Sequence, residues 1–147
     1  MEKHARLGAS NASRWMQCPG SVRMTDGLPR KTTSYAAEGI AAHALAEKCL
    51  CSLPPENAPP LYLGETIDGV VVTEDMCESV QKYLSFLSDH CPGGIHVETF
   101  VSLEKLSPPE PMFGTADAVF YCDGTLTVVD YKHGAGVAVD ATDNPQL

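Results

Sequence analysis

The chain has 147 residues, 44% of them hydrophobic and 20% charged, with 10 Lys and Arg against 19 Asp and Glu for a net charge of −9. This supports the packed core of one domain and excludes wholesale disorder. No apolar run approaches the ~20 residues a membrane span needs, and the opening MEKHARLGAS has no signal-peptide core, so the expected compartment is the cytoplasm.

The first stretch is basic. Residues 1–31 hold Lys3, Arg6, Arg14, Arg23, Arg30 and Lys31 against Glu2 and Asp26, a net of +4, whereas residues 32–147 carry −13. The acidic total argues against a nucleic-acid partner, but this asymmetry marks a segment with an electrostatic role of its own. Within it, Ser10 to Met16 predicts a short helix that stops at Cys18-Pro19-Gly20. Ser34 is the expected N-cap of an Ala- and Leu-rich helix from Tyr35 to about Leu50. The Pro-rich stretch Leu53 to Pro60 must end it and reads as a loop. Thr73 is expected to cap a second helix reaching about His90, with Glu74 and Asp75 in its dipole-favoured first turn. Met76, Val80, Tyr83, Leu84 and Leu87 recur along it at helical spacing.

From Ile95 the period changes to two, and Ile95 to Leu103 alternates as a strand. After the Pro-rich connector Ser107 to Pro111, Phe113 to Tyr121 and Thr125 to Tyr131 predict two strands joined through Cys122-Asp123-Gly124, where Asp-Gly signals a hairpin. Val137 to Val139 predicts a short fourth strand. Helices first and an antiparallel meander after give a mixed α/β (α+β) domain.

The second and third predicted strands carry the chemistry. Asp130 and Lys132, two apart on a strand, share a face. A hairpin centred on Asp123-Gly124 places Asp117 beside Asp130, and two carboxylates in a half-buried sheet require a positive charge between them. Lys132 and a divalent cation with hard oxygen ligands are the candidates. On the first long helix Gly39, His43 and Glu47, four apart, form one stripe that could reach such a cation. Gly39 in a helix costs ~1 kcal/mol against Ala and implies close backbone packing. Six cysteines (18, 49, 51, 77, 91, 122) with no CxxC pair and no secretion signal read as reduced thiols, not as disulfides or a zinc site.

Three segments taken together resemble a known family. Glu38-Gly39-Ile-Ala-Ala-His43-Ala-Leu-Ala-Glu47, Phe113-Gly114-Thr-Ala-Asp117-Ala-Val and Val-Val-Asp130-Tyr-Lys132-His-Gly resemble the PD-(D/E)xK nucleases, in their RecB-like exonuclease branch. The opening Ser10-Asn-Ala-Ser-Arg14-Trp15-Met-Gln-Cys18-Pro19 is similar to the N-terminal segment of phage and prophage proteins of that branch. The resemblance implies a single nuclease-like domain over residues 1–147, with a restriction-endonuclease-like core in which helices flank a central mixed sheet. It implies Mg²⁺ or Mn²⁺ held by His43, Asp117, Asp130 and the backbone carbonyl of Tyr131. Lys132 would orient or deprotonate the attacking water and stabilise charge on the phosphate, with Asp117 and Asp130 as its catalytic companions. Glu47 and Glu98 would support the site from outside.

The implied reaction is phosphodiester hydrolysis of DNA in phage recombination or processing, with phage recombination proteins as partners. Arg14 would pair with phosphate and Trp15 would stack on a base, or else anchor the N-terminal segment to the core. The chain ends at Asn144-Pro145-Gln146-Leu147, so Gln146 stands where the family's Gln-x-x-x-Tyr helix would begin and the rest of that helix is expected to be missing. Some relatives bind an iron–sulfur cluster through one early and three late cysteines. No cysteine follows Cys122, so no cluster is expected, and Cys18 is expected to be a buried thiol. Two rivals remain: a binding module on the same fold with little turnover, and an acidic interaction protein whose carboxylates face solvent.

Overall fold

The computed structural model describes residues 5–28, 33–51, 55–91, 94–134 and Thr142. A 3₁₀ turn, Ala9–Asn11, leads into two short helices, α1 (Ala12–Gln17) and α2 (Ser21–Met24). The two long helices, α3 (Ser34–Leu50) and α4 (Glu74–His90), carry the core. Thr33, not Ser34, caps α3: its backbone is extended and its Oγ1 accepts the Ala36 N–H at 3.2 Å, which leaves Ser34 as the first helical residue. Thr73 caps α4 as expected, accepting the Met76 N–H at 3.2 Å, with Glu74 and Asp75 following it.

Composition explains how these helices meet. α3 buries Ala41, Ala42, Leu45, Ala46 and Cys49, mostly small side chains that allow close approach, while α4 buries the larger Met76, Val80, Tyr83, Leu84 and Leu87. The described part of the Pro-rich connector, from Pro55 on, is built of 3₁₀ turns where a plain loop was expected. Its 3₁₀ turns Pro55–Asn57 and Pro59–Tyr62 pack on both helices, and the Cys77 thiol donates to the Pro59 carbonyl at 3.3 Å. Between the helices lies a small hairpin that the sequence reading passed over, β1 (Thr66–Ile67) and β2 (Val70–Val71). Asp68 and Gly69, both at positive φ, form its turn, and Ile67 and Val72 anchor it in the core.

The second sheet is the meander β3 (His96–Ser102), β4 (Phe113–Cys122) and β5 (Thr125–Val129), in that order and antiparallel throughout. The β4–β5 register is the one expected from the Asp123-Gly124 turn, running from Cys122↔Thr125 to Ala118↔Val129. The ladder stops there, one step before Asp117 and Asp130. Ala118, Phe120 and Tyr131 on one side of the sheet join the helical core, while Phe100, Tyr121 and Leu126 are each about two-thirds exposed at 65%, 67% and 66%. Among the described residues the expected central mixed sheet is therefore an antiparallel one with helices packed on a single face. The predicted strand at 137–139 and Gln146 lie outside the described residues.

Candidate metal centre

His43 on α3, Glu98 on β3 and Asp117 on β4 each turn one ligand atom toward a common point, with all three atoms within 4.8 Å of one another. Three elements distant in sequence meet here, α3 and β4 through the approach of His43 to Asp117. The β3–β4 register runs Val97↔Ala118 and Thr99↔Ala116, so Glu98 faces Asp117 across the ladder, yet no bridge forms at that step. The reason is the Glu98 backbone, which has φ of +48°. A non-glycine residue in that region costs about 1–3 kcal/mol and tends to occur where function holds it in place.

Asp117 is anchored on both sides. Its Oδ1 lies 3.4 Å from His43 Nδ1, and its Oδ2 accepts the Tyr131 N–H at 2.6 Å, so a side chain takes over where the backbone ladder ends. The Tyr131 ring is buried between His43, at 5.2 Å between centroids, and Tyr83, at 4.8 Å, and its hydroxyl donates to Ser79 Oγ at 2.9 Å. A pocket of about 10 Å³, room for one water-sized particle, is lined by His43, Glu47, Tyr83, Glu98, Asp117 and Tyr131, among others.

The titration of these groups shows what the site lacks. The hydrogen bond to Asp117 raises His43 above its ordinary 6.5; burial and the Lys132 charge oppose this, and the charges of Asp117 and Glu98 support it. Burial first, then the Asp117 charge, pushes Glu98 above 4.5; His43 counters and Glu47 adds to the rise. The rise favours the protonated imidazole, which would set a positive charge beside Asp117. One nitrogen and two carboxylate oxygens, with His43 and Asp117 half-buried and Glu98 exposed, suit a hard divalent cation.

The sequence-derived residues divide into groups. His43 and Asp117 come together as expected, with Glu98 at the third corner and Glu47 on the wall of the same pocket. Asp130 does not join that group; its carboxylate pairs with Lys132 Nζ at 2.7 Å. Of Tyr131, the backbone N–H and the ring engage the site. Among the described residues the expected close packing at Gly39 is not seen: an added Cβ would sit 3.9 Å from the His133 carbonyl, an ordinary contact. Arg14 is exposed on α1, whereas Trp15 is half-buried and its Nε1–H donates to the Gly8 carbonyl at 3.1 Å, within the same N-terminal segment. Cys18 is exposed, not buried, because it follows α1 at the surface turn with Pro19 and Gly20; all six cysteines are free. Arg6 of the basic segment is paired with Asp26 and Glu110.

Two features escaped the sequence reading. Tyr83 looked like one more apolar position of α4, yet it lines the pocket. His133, its side chain 2% exposed, lies with Nε2 3.6 Å from Glu38 of α3. Their neighbours, Tyr131 and Lys132 beside His133 and Glu38 beside Gly39, were the only signal available.

No helix among the described residues is long and apolar enough to cross a membrane. The sequence profile of the DUF2800 family, described as a protein of unknown function, matches residues 4–147. No solved structure matches the chain.

Proposed function

The chain belongs to the DUF2800 family, and we propose that it is a metal-dependent phosphodiesterase acting on DNA, a nuclease of the RecB-like exonuclease kind with Mg²⁺ or Mn²⁺ as cofactor. One observation carries the reading: His43, Glu98 and Asp117 converge within 4.8 Å. Lys132 stands close enough for its charge to act on His43. A bound divalent cation supplies a Lewis acid for a phosphoryl oxygen and makes water a nucleophile near neutral pH.

The chain's own groups perform the remaining work. His43, Glu98 and Asp117 would hold the cation, and the Tyr131 N–H fixes the Asp117 carboxylate so that it does not rotate away. Asp130 holds Lys132 at 2.7 Å, which sets the ammonium at the edge of the site. There it can orient an attacking water and stabilise the charge that develops on the phosphate. The pocket of about 10 Å³ is too small for a nucleotide, so DNA would lie across its mouth with only the scissile phosphate approaching. A role in phage or prophage recombination, with recombination proteins as partners, belongs to the same proposal and rests on the resemblance alone.

The test is cleavage of linear and circular DNA with Mg²⁺, Mn²⁺ or EDTA. Cleavage should require the metal and fall about 10²–10³-fold in Asp117→Ala and in Lys132→Ala. Metal-dependent cleavage that survives both substitutions sinks the assignment. A second reading, a module that binds cation and DNA without turnover, is favoured by the engagement of Lys132 with Asp130. It predicts a metal-dependent gel shift with intact DNA.

A further inference from the structure

Tyr131 is fastened at both ends. It lies two residues past the β4–β5 ladder, which ends at Ala118↔Val129. At its backbone, the N–H donates to Asp117 Oδ2 at 2.6 Å. At the tip of its ring, the hydroxyl donates to Ser79 Oγ at 2.9 Å, 52 residues away in sequence. Between these two bonds the ring stacks on Tyr83 at 4.8 Å between centroids and faces His43 at 5.2 Å. The residue is only 6% exposed.

The partner at the hydroxyl end is a rigid one. Ser79 and Tyr83 stand four apart on α4, so they are neighbours on one helix face, and the Tyr131 side chain meets both. Met76 and Val80 of the same helix are 0% exposed and Leu84 1%, which pins α4 in the core. Past the end of a ladder, a buried side chain locked by packing and hydrogen bonds helps to hold its own backbone in place. Here that lock runs to α4, whereas His43, Glu98 and Asp117 stand on α3, β3 and β4. Ser79 thus brings in a helix that supplies none of those three groups.

We propose that Ser79 is a positioning residue for Asp117: it accepts from the Tyr131 hydroxyl and so holds the Tyr131 N–H against the Asp117 carboxylate. The consequence for metal binding rests on the proposed metal centre. With Oδ2 engaged by that N–H, Asp117 keeps Oδ1 toward His43, 3.4 Å from Nδ1, and has little freedom left to lose when a cation binds. No proton or electron moves; the contribution is geometric.

Tyr131→Phe keeps the ring and its stack, Ser79→Ala keeps the helix, and each removes the same hydrogen bond. Two measurements are made on the full chain, amide exchange in EDTA and calorimetric titration with Mn²⁺, with melting temperature alongside. The amide at position 131 should exchange about 3–10-fold faster in each variant, relative to amides within the β4–β5 ladder. Affinity for Mn²⁺ should fall by about the same factor in each. Because both variants break one bond, the double variant should lose no more than the weaker-binding single one. An amide at position 131 that exchanges as in the wild type overturns the proposal. So does a Mn²⁺ affinity that stays at the wild-type level while melting temperature falls, which would make the bond a packing contact. Losses that add in the double variant also overturn it, since they would give the two residues separate roles. A wild type that binds no Mn²⁺, with the faster amide in both variants, removes the metal centre and leaves Ser79 as the anchor of Asp117.

Discussion

At the scale of single residues the site is poised against itself. Glu98 and His43 both titrate above their ordinary values of 4.5 and 6.5. A raised pKa contributes stability that is complete below the unfolded value and is lost as pH rises through the folded one. For Glu98 that loss begins near pH 4.5 and for His43 near 6.5, so the metal-free site becomes steadily less favourable towards neutral pH. In EDTA, the wild type should therefore lose stability relative to Glu98→Gln as pH rises from 4.5, because glutamine has no charge to acquire. Urea midpoints from pH 4.5 to 8 check this; parallel curves for the two proteins would remove Glu98 from the charge cluster. The sequence made His43 and Asp117 legible through spacing and parity, because those depend on local geometry. Glu98 was legible only as an acid of uncertain face, since what brings it in is a backbone conformation that glutamate rarely adopts.

At the scale of elements, composition was a good guide wherever a local rule decided the outcome. Thr73, the α4 stripe and the Asp123-Gly124 register were all readable because capping, helical period and turn chemistry act within a few residues. The β1–β2 hairpin was missed because strands of two residues carry no period, although Asp68-Gly69 signalled its turn. Asp130 was extrapolated into a ladder that ends at Val129, where the Asp117 side chain takes the next N–H. The irregular step in β3 yields a prediction. Glycine at position 98 accepts φ of +48° without a Cβ penalty, against its own larger entropy loss on folding. Glu98→Gly should thus leave the metal-free chain as stable as the wild type or more so, by up to about 1 kcal/mol, while weakening Mn²⁺ binding. Glu98→Gln, which keeps the Cβ, should weaken Mn²⁺ binding without that gain. Denaturation in EDTA together with calorimetry separates the two effects, and a Glu98→Gly protein less stable than Glu98→Gln would show that the backbone is not strained there.

For the whole molecule, the net charge of −9 says less than where the charges lie. Part of the acidic excess is gathered where α3, β3 and β4 meet, and part of the basic N-terminal segment is neutralised locally through Arg6. A cation at His43, Glu98 and Asp117 would tie together three elements that come from residues 34–50, 96–102 and 113–122, and so from both halves of the fold. Such a ligand binds the native state and finds no assembled site in the unfolded chain, so its binding free energy adds to stability. At Mn²⁺ one hundred times its dissociation constant the gain is about 2.7 kcal/mol, or roughly 5–10 °C in Tm for a chain of this size. The rise should saturate with Mn²⁺, grow from pH 6 to pH 8 as the competing proton leaves His43, and vanish in Asp117→Asn. It should also persist at high NaCl, because screening weakens diffuse attraction to an acidic surface far more than a ligand held by three converging groups. Thermal melts across Mn²⁺, pH and salt read all four features at once. A rise that disappears with salt, or that Asp117→Asn retains, would mean that Mn²⁺ acts on the acidic surface at large and that these three side chains form no metal centre.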